Sequence, residues 1–162
     1  MLTRRQAREW AIQMLAAADM NPPDNLDQFK ADFWQQVCTL DREDGGYSPD
    51  RISKKLRAFA EERFDGIWNE SSELDGILEG LLENWSLPRL GVVERAVLRL
   101  GAWELKNTDI PAAIIINECI DLVNWYASPK SRGIVNGVLD RYAKSLEGVR
   151  LESDKKAKAS GV

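Results

Sequence analysis

The sequence predicts an all-α fold of about seven helices. Apolar residues recur at three- and four-residue spacing through most of the chain, which is the periodicity of one buried helix face. Serine, threonine and proline stand where several of these apolar stripes begin, as they do at helix starts. The segment 90–106 is apolar almost all round and is therefore expected at the centre of the fold. A length of 162 residues fits one domain or two small bundles that share a core.

The first helix is predicted over residues 3–19. Thr3 can cap it, and Gln6 is the capping-box partner three residues later. Its apolar residues fall on one face. They are Ala7, Trp10, Ala11, Met14, Leu15 and Ala18. This face is expected to pack against the rest of the protein.

The remaining helices follow from breaks and start signals. Two prolines break the chain at Asn21–Asp24, and a loop is expected at Asp44–Gly46. The isoleucine-rich run after Pro111 has a strand-like composition, but a proline at a first helical position and the Asn-Glu pair in mid-run favour a helix. Ser128 followed by proline marks the last helix start. The other predicted helices are 26–40, one from 48–50 to 68, one capped by Ser71 or Ser72, and 90–106.

The composition changes near the end of the chain. Beyond Gly148 the residues are charged and small, in the segment LESDKKAKASGV. Such a segment cannot bury enough apolar surface to order itself, so a frayed or disordered tail is expected. The predicted organisation is a helical domain over residues 1–147, followed by a charged flexible tail over residues 148–162.

Composition also excludes several classes of protein. Histidine is absent, which removes histidine-based acid–base catalysis, nucleophiles activated by histidine and most transition-metal sites. Carboxylate chemistry stays open, but no Asp or Glu pair stands out. Cys38 and Cys119 lie among apolar residues and are expected to be small buried thiols. No apolar run approaches the ~18 residues of a membrane span, and a signal peptide is not expected. We therefore expect a cytoplasmic protein without metal or cofactor.

A local cluster of positive charge lies at the start of the chain. The net charge of −4 argues against a general nucleic-acid coat. However, Arg4, Arg5 and Arg8 lie off the apolar stripe of the first helix, opposed there only by Glu9, and are expected to project into solvent. Arginine suits RNA because its planar fork pairs phosphate oxygens and stacks on bases. This helix start therefore favours RNA binding, with a merely solvated helix start as the alternative.

Two stretches resemble the NusB family of bacterial transcription antitermination factors. RRQAREWAIQML, at residues 4–15, is similar to the arginine-rich start of that family. VERAVLRLGAWEL, IPAAIIINECIDL and VNGVLD, within residues 87–142, are similar to its last three helices. Over residues 20–70 the resemblance is weak, because only the helical pattern and the length agree.

The resemblance implies a fold and a function. The fold would be a single NusB-like domain whose helices pack as two helical subdomains. Members of the family bind the boxA segment of nascent RNA as a single strand, together with the ribosomal protein that doubles as factor NusE. This complex joins RNA polymerase and other Nus factors and suppresses termination, chiefly on ribosomal RNA operons. The chain would thus act in transcription regulation, at antitermination and termination, and would not be an enzyme.

The resemblance also implies a set of RNA-binding residues. Arg4, Arg5 and Arg8 would contact RNA phosphates. Lys130 and Arg132, at the start of the last helix, would lie beside them and extend the positive surface.

Three further positions concern a base and the NusE partner. Ile134 stands where many members have an aromatic residue that meets a base, and isoleucine can pack against a base without stacking well. Glu94 matches an acidic residue that faces NusE. Ala16 replaces a family tyrosine near the end of the first helix, which weakens the partner contact implied there.

Other interpretations stay open. A diverged NusB-fold adaptor that binds another protein is compatible with Ile134 and Ala16. A stand-alone substrate-guiding domain related to RNA cytosine methyltransferases is a second alternative, and a homodimer that masks the RNA surface is a third. For the aromatic pair Trp125 and Tyr126, core packing is favoured and RNA contact is the alternative.

Overall fold

The computed structural model of the protein describes residues 2–40 and 52–160. Within these ranges it contains seven α-helices, one 3₁₀ turn and no strand, which confirms the predicted all-α fold. The chain divides into two compact units, Met1–Glu70 and Ser71–Val162, in agreement with two helical subdomains. The helices are α1 (Arg4–Met20), α2 (Leu26–Leu40), α3 (Lys54–Asn69), α4 (Ser71–Leu81), α5 (Val92–Asn107), α6 (Ala112–Tyr126) and α7 (Pro129–Ala159).

In the first unit, α1 packs along α3, and aromatic side chains hold α2 against both. Trp10 of α1 meets Trp34 of α2 edge to face, with ring centroids 5.4 Å apart. Phe29 of α2 stacks on Phe64 of α3 at 5.5 Å. Aromatic pairs in these geometries each add about 0.5–1.5 kcal/mol beyond their buried area. The apolar stripe predicted for α1 is buried as expected, except that Ile12 joins it.

The start of α3 differs from the prediction. The helix begins at Lys54, because the hydroxyl of Ser53 accepts a hydrogen bond from the backbone N–H of Leu56 at 3.1 Å and caps the first turn. The predicted start at 48–50 is therefore wrong for this helix. Those positions, with the loop expected at Asp44–Gly46, lie outside the described residues.

In the second unit, α5 is the central helix, as predicted. It packs against α4, α6 and α7 and buries nine residues, from Ala96 to Leu105. Gly101 allows the close approach, since a Cβ there would lie 2.6 Å from Cδ1 of Leu139 in α7. Arg99 reaches from α5 to Asp75 in α4 with two hydrogen bonds, of 2.8 and 3.0 Å. Close packing and one bidentate ion pair therefore hold α5 in place.

The last helix is longer than predicted. α7 begins at Pro129 after Ser128, as expected, and continues without a break to Ala159. Every side chain in residues 147–160 is exposed. The boundary predicted at residue 147 thus falls inside a continuous helix, and the flexibility predicted for 148–162 stays a prediction.

Candidate nucleic-acid interface

The arginine-rich start of α1 is ordered by a phenylalanine of α3. The guanidinium carbon of Arg4 lies 5.7 Å from the centroid of the Phe59 ring, and that of Arg8 lies 5.3 Å from it. Arg4 and Arg5 are exposed, but only 5% of Arg8 is. The expectation that all three arginines project into solvent is therefore wrong for Arg8. Since residues four apart lie on one helix face, Arg4 and Arg8 approach the same ring.

A third arginine, Arg63, was missed by the sequence analysis. Its guanidinium carbon lies 3.4 Å from the centroid of the Phe59 ring, and its side chain is buried. One of its nitrogens donates to the backbone oxygen of Phe59 at 3.4 Å, and Glu62 lies 3.7 Å away. The negative face of an aromatic ring attracts cations, so one phenyl ring gathers three like charges. The spacing of Arg63 from Phe59, one helical turn, was the available signal.

The second predicted basic segment lies at the start of α7. Lys130 and Arg132 are exposed, and Ser131 between them is buried. The hydroxyl of Ser131 donates to a carboxylate oxygen of Glu94 at 2.9 Å. Ile134, one turn further along, is half-buried. The first turn of α7 is thus anchored by Ser131 and presents its two cations to solvent.

Glu94, predicted to face a partner protein, has a contact inside the second unit. It is the third residue of α5, and its carboxylate lies over Gly91, where a Cβ would collide with it. A negative charge at this position is favoured by the helix dipole. Glu94 therefore joins the starts of α5 and α7. Its partner-binding role, like that of the half-buried Ala16 on α1, stays a prediction.

The aromatic pair at the end of α6 is exposed. Trp125 is 79% exposed and Tyr126 47% exposed. The core packing favoured for this pair is therefore wrong. Both residues lie at the last turn of α6, beyond its buried stripe, which ends at Leu122 and Val123. Trp125 follows Val123 by only two residues and so points away from that face. Tyr126 follows Leu122 by four residues and Val123 by three, so the helical spacing alone would place it on the buried face and does not predict its exposure.

Within residues 2–40 and 52–160, no group of three or more cysteine, aspartate or glutamate side chains is placed to hold a metal ion. No helix in those same ranges is long and apolar enough to cross a membrane.

The fold and this surface define a class of small all-α proteins whose first helix begins with exposed arginines. The model of the NusB family matches residues 5–144. The chain therefore belongs to the NusB family, which confirms the family predicted from the sequence.

Two relatives support this assignment, and each aligns with this chain over most of its own length. The transcription antitermination protein NusB of Nitratidesulfovibrio vulgaris (strain DP4) is 33% identical over 151 residues, which cover 93% of this chain and 94% of that protein. The protein of the same name from a Nitratiruptor species is 35% identical over 147 residues, or 91% and 96% of the two chains.

Two solved structures are similar to this chain over most of its length. NusB of T. maritima superimposes with a TM-score of 0.73 at 31% identity and covers 88% of this chain and 92% of that chain. A chain from the complex of antitermination factors NusB and NusE with double-stranded RNA has a TM-score of 0.69 at 30% identity, with coverage of 88% and 96%.

Proposed function

We propose that this protein is a transcription antitermination factor that binds boxA-type single-stranded RNA together with ribosomal protein NusE. The membership in the NusB family and the names of its relatives support this function. The observation that carries it is the exposed pair Arg4 and Arg5, in a helix start where Arg4 and the buried Arg8 both approach the Phe59 ring. The proposed function involves no catalysis.

The proposed contacts differ in kind between the arginines. Arg4 and Arg5 are exposed and bind phosphate oxygens directly. Arg8 is buried against Phe59, so it contributes mainly positive field and holds the helix start in place.

In the second unit, Lys130 and Arg132 supply further phosphate contacts. Ile134 packs against a base without stacking. Ala16 of the first unit and Glu94 of the second belong to the NusE-binding surface in this proposal.

The wider assembly is proposed on the same basis. The complex with NusE and RNA joins RNA polymerase and other Nus factors in the cytoplasm, chiefly during ribosomal RNA transcription. Its recruitment can be measured by adding the purified protein to stalled elongation complexes whose transcript carries boxA, with a boxA-deleted transcript as the control.

The RNA site is tested by the salt dependence of binding. The double variant R4A/R5A removes two exposed cations, and each phosphate contact on a single strand contributes about 0.7 to the slope of log affinity against log salt. We expect the slope to fall by about 1.4 while helicity is unchanged. The readout is fluorescence anisotropy of a labelled boxA-like strand. A duplex of the same sequence is measured in parallel, since the solved NusB–NusE complex contains double-stranded RNA.

A matched control separates a site from general charge. K144A/R150A removes the same net charge from two exposed positions on α7. The proposal expects this control to keep the wild-type slope. If R4A/R5A and the wild type have equal slopes, Arg4 and Arg5 are not part of the RNA site. If both double variants lose the same amount of slope, the effect comes from net charge and not from a specific site.

A further inference from the structure

Trp125 is the most exposed large hydrophobic side chain in the described residues, at 79%. It occupies the last turn of α6, beside Tyr126, which is 47% exposed. An exposed tryptophan leaves a large apolar surface in contact with water. When buried, aromatic side chains of this size dominate the energetics of cores and interfaces. An exposed indole of this kind is therefore a candidate contact for a ligand.

The charge around Trp125 is positive along the chain. Residues 122–139 contain no aspartate or glutamate, and their two charged side chains, Lys130 and Arg132, are both exposed. The nearest acid in sequence, Asp121, lies one turn earlier in α6 and is half-buried. An aromatic face with cations beside it is the combination that binds single-stranded nucleic acid, where bases stack and phosphates pair with charge.

The turn that carries these side chains is anchored. Ser131 is buried and bonded to Glu94 at 2.9 Å, and Ala127 closes the end of α6 with a backbone hydrogen bond to Val123 at 2.9 Å. The segment between α6 and α7 therefore holds Trp125 and the two cations on a fixed support. A preformed platform loses less conformational entropy on binding than a mobile loop does.

We propose that Trp125 stacks on an unpaired base of the RNA strand, as a residue that adds affinity to the phosphate contacts. This inference rests on the proposed RNA-binding function and adds a base contact to it. The face of the indole, rather than its N–H, makes the contact, so the contribution tolerates different bases. Ile134 can pack on a base but cannot stack on it, and in this proposal Trp125 provides the aromatic surface that Ile134 lacks.

A protein partner is the competing occupant, and the surroundings favour RNA. Protein interfaces deplete lysine, and a stable one needs a contiguous patch that buries roughly 800 Å² on each side. Here the exposed apolar groups are one indole and one phenol, followed by Ser128, Pro129 and Lys130. This small aromatic area flanked by cations suits a nucleotide better than a protein surface.

The test compares three substitutions at one position. W125F keeps an aromatic face, W125L keeps apolar bulk without one, and W125A removes both. Base–aromatic stacking contributes roughly 5- to 150-fold in affinity, so we expect W125A and W125L to weaken binding of a boxA-like single strand by at least about 5-fold. W125F should stay within about 3-fold of the wild type, because a phenyl ring still stacks.

Two controls make the result specific. W85A removes another exposed tryptophan of the second unit, one that follows the exposed acid Glu83 and has one cation, Arg89, after it, and should leave RNA affinity unchanged. An abasic scan of the strand should find a position where loss of the base weakens the wild type but not W125A. The base at that position would be the one that stacks on Trp125.

The outcomes separate this inference from the function on which it rests. If the wild type binds the strand and W125A binds it equally well, stacking by Trp125 is refuted and the RNA-binding function stands. If the wild type binds no RNA, the function fails. If W125L matches the wild type while W125A weakens only the ternary complex with NusE, the surface is a protein contact and the inference is overturned.

Discussion

The guanidinium carbon of Arg8 lies 5.3 Å from the centroid of the Phe59 ring, which joins the basic start of α1 to the middle of α3. Arg4 and Arg63 approach the same ring, at 5.7 and 3.4 Å. Bringing three guanidinium groups together costs electrostatic repulsion, which the ring quadrupole offsets by about 0.5–2 kcal/mol for each cation. Phe59, itself half-buried, is thus the common support of the basic surface of the first unit.

Replacing Phe59 by leucine should weaken both stability and RNA binding. The leucine keeps apolar bulk but has no ring face, so we expect unfolding to become easier by about 1–3 kcal/mol from the lost cation–π contacts. The arginines would then be less ordered and RNA affinity would fall. Urea unfolding and anisotropy measure the two effects. F59Y keeps the ring and is the control; a leucine variant as stable as F59Y would contradict this account.

The bond between Ser131 and Glu94 should couple the starts of α7 and α5. S131A removes the donor and leaves the carboxylate half-buried, at an expected cost of about 1–3 kcal/mol. A double-mutant cycle with E94A isolates the pair, and we expect a coupling energy of at least about 0.5 kcal/mol. Denaturant unfolding provides the four free energies. Strict additivity would mean that Glu94 is not held by Ser131 in solution.

The close contact at Gly101 should make alanine unfavourable there. A Cβ would lie 2.6 Å from Cδ1 of Leu139 and 3.1 Å from Sγ of Cys119, and overpacking of a full core costs about 1–3 kcal/mol. The better helix propensity of alanine offsets about 1 kcal/mol of this cost. G101A should therefore range from neutral to destabilising by about 2 kcal/mol. Thermal unfolding measures the change.

Gly76 is the matched control for that substitution. It is exposed inside α4, and a Cβ there meets nothing within 4 Å. G76A should therefore stabilise the protein by up to about 1 kcal/mol through helix propensity alone. If G101A stabilises as much as G76A, α5 and α7 are not as close as described.

The ion pair between Lys30 and Asp65 should show itself at alkaline pH. Burial lowers the pKa of Lys30, but the hydrogen bond to Asp65 at 2.9 Å and the charges of Asp65, Glu61 and Asp27 outweigh it, so the pKa is raised. When the pKa of a lysine is raised in the folded state, the added stability is fully present below the unfolded-state pKa of about 10.4. It is lost as the pH rises above that value and through the folded-state pKa. The stability difference between wild type and K30M should therefore be constant from pH 7 to pH 9 and shrink towards pH 11 in urea unfolding. A difference that grows with pH would have the wrong sign.

Much of the helical framework could be predicted from the sequence because helix faces are a local property. The bounds of α2 were predicted as observed, and the apolar segment 90–106 is the central helix α5. Two prolines marked helix starts. Pro129 is the first residue of α7, where a residue without an N–H fits, whereas Pro111, predicted at a first helical position, is the cap residue just before α6.

The errors concern tertiary contacts and one helix start. The burial of Arg8 depends on which helix lies against α1, and its partner Phe59 is far away in sequence. The start of α3 was predicted from the serine, proline and aspartate at 48–50, whereas Ser53 forms the cap. The exposure of Trp125 depends on where the buried stripe of α6 ends. The family resemblance provided the candidate RNA residues, but it contained no information about Arg63 or Phe59.

RNA binding in cooperation with NusE can be tested by one binding measurement. Anisotropy of a labelled boxA-like single strand is recorded with and without purified NusE, at about 50 and 200 mM salt. Binding should weaken with salt and tighten when NusE is added. A folded, helical protein that binds the strand in neither case would contradict the proposed function.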